Sequence, residues 1–465
     1  MKTHLIKRLP GERYTPCGLA RKLNAKIILE SSSLTKGKER FSILLVKEIF
    51  TIEQRGGEVF LKEPAGKTKK VNHKGTDILP VLSYFADKHG EHNYEFPYPA
   101  GGVGFLSFEF CKYCDDINIE NRKDPLNLPE AAFIFGSTFI IFDHYTDEII
   151  ILVLNYPGYE LDLEKELSTV EESLADLNFN YLMEKQDEAK ATLLTSKEKD
   201  EEYKDAVRTV REEIIKGNLL QAVPSRRLTI KTKKTAMEAY RSLRNSNPSP
   251  YQFYLDFGEY QLYGASPEVH VKVKRDKVTI RPIAGTRKRG KHIGEDIALA
   301  EELLSDEKER AEHLMLIDLA RNDLGRVCTV GSVEVTEKMI IEKYSQVMHI
   351  VSQVEGKLAK DKNAADVIRA TFPAGTVSGA PKIQAIQTIS RIEKEPRGFY
   401  AGLVGYFDAN GDIDTCITIR SGVKKGDLLY LQAGGGIVFD STPERELEET
   451  NEKLRATALA AGIEV

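Results

Sequence analysis

Glu309 and Glu312 stand three residues apart in a stretch with a helical apolar period, and Glu446 and Glu449 repeat that spacing near the end of the chain. Residues three apart on a helix share a face, so each pair presents two carboxylates side by side. Two such pairs on separate helices could converge on one hard divalent cation. With oxygen ligands and no His/Cys cluster, Mg²⁺ is the first choice. The spacing alone also fits a solvated acidic face.

Two runs of small residues offer a second kind of chemistry. Ala433–Gly436 follows a candidate strand, and Pro373–Gly379 (PAGTVSG) sits just before a helix. Without bulky side chains, backbone N–H groups can approach an anion closely, and a helix N-terminus favours negative charge. A pair of tight turns is the other reading. Neither run matches a phosphate-loop or dinucleotide fingerprint, which leaves nucleotide binding unsupported. Cys111 and Cys114 form a C-x-x-C, but Cys17, Cys328 and Cys416 have no ligand neighbour at short spacing, so structural thiols are expected rather than a zinc knuckle.

The elements that must position these groups divide the chain into three stretches. Residues 1–155 form a β-rich N-terminal domain, with candidate strands at Lys26–Leu29, Ser42–Phe50, Val59–Leu61, Gly102–Phe108, Ala132–Phe142 and Glu148–Leu154. Residues 156–199 hold an amphipathic helix over Tyr159–Asn178 and a charged linker over Glu184–Lys199. Residues 200–460 open on a helix over Asp200–Lys216, with Gly217 as its stop. Strands follow at Leu220–Ile230, Gln252–Asp256, Gln261–Gly264, His270–Val273 and Val278–Ile283. Next come a long helix over Glu295–Leu324, a strand near Ser332–Val335 and a helix at Ala364–Thr371. Helices near Gly379–Glu393 and Thr442–Ala461 then surround strands at Val404–Phe407, Cys416–Arg420 and Leu428–Gln432. Ser441 and Glu444 fit a capping box for the last helix. Without a regular βαβ alternation, the class is α+β.

Composition excludes several functions. The 465 residues carry 66 basic and 71 acidic side chains, a net charge of −5, and no basic block that would track nucleic acid or an anionic membrane. The most apolar stretches are shorter than the roughly 20 residues of a membrane span and read as buried strands. Met1–Leu9 is not followed by an apolar run, so no secretion signal is evident and a cytoplasmic protein is expected.

Gly264–Glu268 (GASPE), Arg281–Arg287 (RPIAGTR), Glu309–Arg326, His349–Ser352, Pro373–Lys382, Tyr400–Tyr406, Asp414–Arg420 and Ala433–Glu449 occur in an order that resembles the chorismate-utilising enzymes. That family includes anthranilate, aminodeoxychorismate, isochorismate and salicylate synthases. The resemblance implies a large two-lobed β-sandwich flanked by helices, with 200–460 as the chorismate-binding catalytic domain. It implies Glu312 and Glu449 as direct Mg²⁺ ligands, and Glu309 and Glu446 as the shell that orients metal-bound water. Arg420 and Tyr400 resemble the anchors of the enolpyruvyl carboxylate. Gly285, Thr286, Thr376, Gly434, Gly435 and Gly436 would make further substrate contacts. Glu268 is the implied acid for the leaving C4 hydroxyl, a role that needs a raised pKa. His349 resembles the histidine associated with aromatisation.

Two positions separate the family's branches. Members that add water use a lysine base where this chain has Gln221, and many aminodeoxychorismate synthases use a lysine nucleophile where it has Ala284. The expectation is therefore ammonia addition to give anthranilate. The alternatives are aminodeoxychorismate formation for folate, or a non-catalytic chorismate- or tryptophan-binding protein. No G-x-C-x-G motif of a glutamine amidotransferase is present, which implies a separate glutamine amidotransferase subunit as partner. Glu30 and Ser31, with Pro250 and Tyr251, resemble a tryptophan-inhibitor site, with Gln252 where many relatives carry Met.

Overall fold

Strands far apart in the sequence find each other as neighbours. The computed structural model describes residues 3–31, 40–90, 94–176, 178–180, 191–344 and 347–464, and among these 21 strands join in one hydrogen-bonded network. Ile27–Glu30 lies between Phe41–Arg55 and Tyr251–Asp256, with Ile28 opposite Leu44 and Glu30 opposite Gln252. Val103–Leu106 likewise lies between Ala131–Asp143 and Leu403–Phe407. These ladders are antiparallel, as the α+β class requires. Two short strands from the N-terminal stretch thus sit inside a sheet whose outer neighbours come from the C-terminal one.

Alternation explains the apolar runs. In Glu148–Leu154, Ile150, Leu152 and Leu154 enter one core while Ile149, Ile151 and Val153 enter another. Side chains on a strand point alternately to opposite faces, so a strand buried on both sides must be apolar throughout. The first core is aromatic, with Phe50 stacked on Phe135 at 4.7 Å between ring centres. The second lies under helices, where Leu454 and Ala458 of the last helix meet Tyr240 and Ile230.

Several boundaries differ from the sequence expectation, each for a local reason. The single helix expected over Glu295–Leu324 is two, Ile293–Ser305 and Glu307–Gly325. Asp306 breaks it by accepting hydrogen bonds from the Lys308 and Glu309 amides, a new N-cap that resets the phase carrying Glu309 and Glu312. The capping box expected of Ser441 and Glu444 does not form. Pro443 takes the first helical position, so Thr442 becomes the cap residue, and the Ser441 hydroxyl accepts from the Val438 amide instead. The helix expected from Gly379 begins at Lys382, because Gly379–Ala380 pairs with Gln221–Ala222 in a separate two-stranded sheet. The strand expected at Cys416–Arg420 is Ile413–Ile417.

The linker expected over Glu184–Lys199 falls partly outside the described residues. Within it, Thr192–Leu193 pairs with Ile230–Lys231, and the next helix starts at Glu198. The strands Ile283–Lys288 and Val347–Lys357, which carry Ala284 and His349, have no counterpart in the periodicity reading. All five cysteines are free thiols. Among the described residues no helix is long and apolar enough to cross a membrane.

The interleaving makes a test. Residues 191–465 expressed alone leave Tyr251–Asp256 and Leu403–Phe407 each with one of their two edges unpaired, and bare edges drive association. This fragment should aggregate alone and become soluble when co-expressed with residues 1–180. A monomeric fragment with one cooperative melting transition would contradict it.

Candidate active site

Three carboxylates meet around the glycine run. Glu312 comes from the second turn of Glu307–Gly325, and Glu446 and Glu449 come from the first turns of Pro443–Ala461. A Cβ on Gly435 would stand 3.0 Å from Glu446 Oε2 and 3.8 Å from Glu449 Oε1, and one on Gly436 would stand 3.7 Å from Glu312 Oε1. Only residues without side chains leave this space open to the acids on both helices. Glu309 pairs with Arg287 (Oε1 3.2 Å from Nη1), and its Oε2 lies 3.2 Å from where a Cβ on Gly285 would stand. Among the described residues no three such side chains already form a closed ligand set.

The electrostatics favour a cation here. Burial pushes the Glu312 carboxyl up, eased by a 2.8 Å bond from Gln221 Nε2 and aggravated by Glu309 and Glu449. Burial likewise raises Glu446, whose Oε2 is buried without a hydrogen-bond partner. An orphaned carboxylate oxygen beside two other carboxylates is a costly arrangement that positive charge relieves. The oxygen-only donor set suits a hard cation. Burial also opposes charge on Glu449, but Lys453 and Arg420 outweigh it and hold that carboxyl below the ordinary range.

The acid expected at Glu268 has the environment it needs. Glu268 is buried, and desolvation pushes its carboxyl up to about 8 against smaller opposing pulls from Thr376, Arg420 and Lys453. The Thr376 hydroxyl, on the short turn Gly375–Val377, is buried with no completed hydrogen bond. His349 Nδ1 lies 3.0 Å from the Gly285 carbonyl oxygen and 3.0 Å from Thr286 Oγ1. A carbonyl can only accept, so Nδ1 carries the proton and Nε2 keeps a lone pair. Burial holds this imidazole down at about 4, which keeps it neutral at ordinary pH. Gly285 itself has φ +65° at a bulge in its strand, and Ala284 pairs with Ile350.

Tyr400 and Arg420 stand together as expected. A Cβ on Gly434 would come within 3.1 Å of the Tyr400 hydroxyl, and charge couples Arg420 to Tyr400, Glu449 and Glu268. Arg420 has φ 52°, a left-handed conformation that costs a non-glycine residue on the order of 1–3 kcal/mol. Lys453 escaped the sequence reading. Its ammonium lies 2.6 Å from Glu449 Oε1 and 2.9 Å from the Gly434 carbonyl oxygen. Its only signal is an i, i+4 Glu–Lys spacing, which any exposed helix can show. Tyr203 was missed too, and its buried, unpartnered hydroxyl lies 3.1 Å from where a Gly435 Cβ would be.

The four residues expected to bind an inhibitor also come together, away from these carboxylates. Glu30, Ser31, Pro250 and Tyr251 line a cavity of about 670 Å³. Glu30 is already held there by a two-point grip from Arg244 (2.8 and 2.9 Å) and by the Tyr240 hydroxyl at 2.6 Å. Ser31 keeps a buried hydroxyl without a partner. Gln252 donates to the Arg244 carbonyl oxygen.

Residues 32–458 match the family model described as chorismate binding enzyme. Anthranilate synthase component 1 of Spirochaeta aurantia is 57% identical over 464 residues, covering 99% of this chain and 96% of that protein. The same component of Aquifex aeolicus is 40% identical, covering 99% and 94%. The crystal structure of anthranilate synthase component I from Streptococcus pneumoniae superposes with a TM-score of 0.81 at 37% identity, covering 90% of this chain and 92% of that one.

The Glu268 environment has a consequence for stability. Its carboxyl titrates ordinarily near 4.5 and in the folded protein near 8. Between those values the folded state holds a proton that the unfolded chain has released. The group's favourable contribution is therefore complete below about 4.5 and is lost as pH rises through 8. Glu268→Gln removes that titration, so the variant's Tm minus the parent's should increase from pH 5 to about pH 8 and level off above it. A difference independent of pH would mean that Glu268 is not held protonated.

Proposed function

The chain belongs to the chorismate-binding enzymes, and from that membership we propose that it aminates chorismate, releasing anthranilate and pyruvate as the entry to tryptophan synthesis. The observation that carries this reading is Gln221. Its carboxamide donates to Glu312 where a water-adding enzyme needs a base, and a carboxamide cannot take a proton from water. Ala284 offers no nucleophile in place of an attacking lysine. Ammonia brings its own lone pair and needs neither.

The residues then divide the work. Tyr400 and Arg420 grip the enolpyruvyl carboxylate, with Thr376, Gly285, Thr286 and the amides of Gly434–Gly436 completing the cradle. Glu312 and Glu449 would hold Mg²⁺ directly, with Glu309 and Glu446 acting through its waters. Once bound, the ion would fix the ring carboxylate and draw charge as ammonia adds at C2. Glu268, protonated at neutral pH, passes its proton to the departing C4 hydroxyl, which leaves as water. In the second stage C2 loses its proton, the enolpyruvyl group leaves as pyruvate and the ring becomes aromatic. His349, neutral with a free Nε2, is placed to accept that proton. The relatives' designation as component 1 fits a second component, which on this reading is a glutamine amidotransferase subunit that supplies the ammonia.

Incubation of the purified chain with chorismate, Mg²⁺ and an ammonium salt should release anthranilate and pyruvate in equal amounts, and EDTA should stop both. Chorismate consumed without pyruvate would overturn the anthranilate assignment. Turnover unaffected by EDTA would remove the metal.

We also propose that the cavity lined by Glu30, Ser31, Pro250 and Tyr251 takes tryptophan as a feedback inhibitor. Its size, its aromatic and proline walls, and the unpartnered Ser31 hydroxyl support this reading. Calorimetric titration at millimolar tryptophan should register binding together with inhibition of anthranilate release. An absence of heat and of inhibition would remove the proposal.

A further inference from the structure

One buried cation lies outside the chemistry described so far. Arg397 is 2% exposed, on the loop that follows the helix Lys382–Ile392. Its guanidinium lies over two rings, with Cζ 4.5 Å from the centre of Phe108 and 5.7 Å from that of Tyr400. Both distances lie within the roughly 6 Å reach of a cation–π contact. Nη1 donates to the Val377 carbonyl oxygen at 2.8 Å, and Nη2 donates to the Val223 carbonyl oxygen. Nε and Nη2 also grip Glu393 at 2.9 and 2.7 Å.

Each contact leads to a different part of the site. Val377 follows Thr376 directly. Val223 lies two residues after Gln221, the donor to Glu312. Glu393 Oε1 also accepts from the Ser225 amide and hydroxyl, and Ser225 sits opposite Gly434 in its ladder. Tyr400 is the substrate anchor. A buried ion pair is weak evidence of stabilisation, since apolar side chains of similar volume often serve as well. What apolar side chains cannot do is tie two carbonyls, a carboxylate and two rings to one group. A lysine ammonium, a point charge with no planar fork, cannot do it either.

We propose that Arg397 is a positioning residue for the reaction, setting the Tyr400 ring and the Thr376 turn in the geometry that receives the enolpyruvyl carboxylate. It touches no substrate and acts through those two elements. The proposal rests on the chorismate-aminating reading of the site.

The test uses the full chain and steady-state kinetics with chorismate and ammonium varied separately. Arg397→Lys, which keeps the charge and loses the fork, should raise the chorismate KM by about ten- to a hundredfold, the scale of a small misplacement at a reacting centre. The ammonium KM should stay near the parent's. In a Tyr400→Phe background the same substitution should add far less, because coupled residues are non-additive. A fall in kcat that tracks the folded fraction, with chorismate KM unchanged, would overturn the proposal, and so would full additivity with Tyr400→Phe. If Arg397→Lys does not fold, Phe108→Leu decides, since it removes the ring 4.5 Å from the guanidinium and leaves Tyr400 in place. A several-fold rise in chorismate KM is then expected, and an unchanged KM overturns the idea. A parent chain that forms no anthranilate would instead sink the functional reading itself.

Discussion

The site depends on keeping like charges close together in a place that water does not freely reach. Glu312, Glu446 and Glu449 repel one another, and burial penalises Glu312 and Glu446 further. Left to themselves such side chains would swing out to solvent. They stay because two helices are anchored firmly enough to aim them inward, and because Gly435 and Gly436 leave the space between them unfilled. The surrounding groups read as responses to that charge. Gln221 donates to Glu312, Lys453 pairs with Glu449, and Arg420 accepts a left-handed backbone to stand near that same Glu449.

Spacing reveals what a single element can do, and much of this site was legible for that reason. The two Glu pairs sit on helices with the phase that their separation implies, and the glycine run adjoins a strand end as its small residues suggest. Gln221, Ala284, Glu268 and His349 were reached through the family's motifs, because no spacing singles them out. The illegible parts were those decided by distant partners. Whether Glu295–Leu324 is one helix or two depends on Asp306 capping rather than continuing the turn, and both are common uses of aspartate. Lys453 looks like any surface lysine until the Gly434 carbonyl is seen beside it. Arg397 carries no periodicity at all, and its partners are spread from Phe108 to Tyr400.

The sheet also connects two regions that the chain separates. Glu30 and Tyr251 line the cavity of about 670 Å³, and Gln252 pairs with Glu30 on one side and with Ala265 on the other. Tyr251 pairs with Ser266, two residues before Glu268. A ligand pressing on the Tyr251–Asp256 strand would therefore bear on the strand Gln261–Ser266, which ends two residues before the proposed acid.

The interleaved strands also constrain how the protein is made. Val103–Leu106 needs Leu403–Phe407, which is synthesised about 300 residues later. At roughly 5–20 residues per second, that partner leaves the ribosome about 15 to 60 s after the strand that awaits it. Throughout that interval one edge of an entirely apolar strand has no mate, far longer than the micro- to millisecond events of local folding. Such a nascent chain cannot complete one lobe and then the next. Its first strands are held open for its last, which makes it a natural client for chaperones during translation.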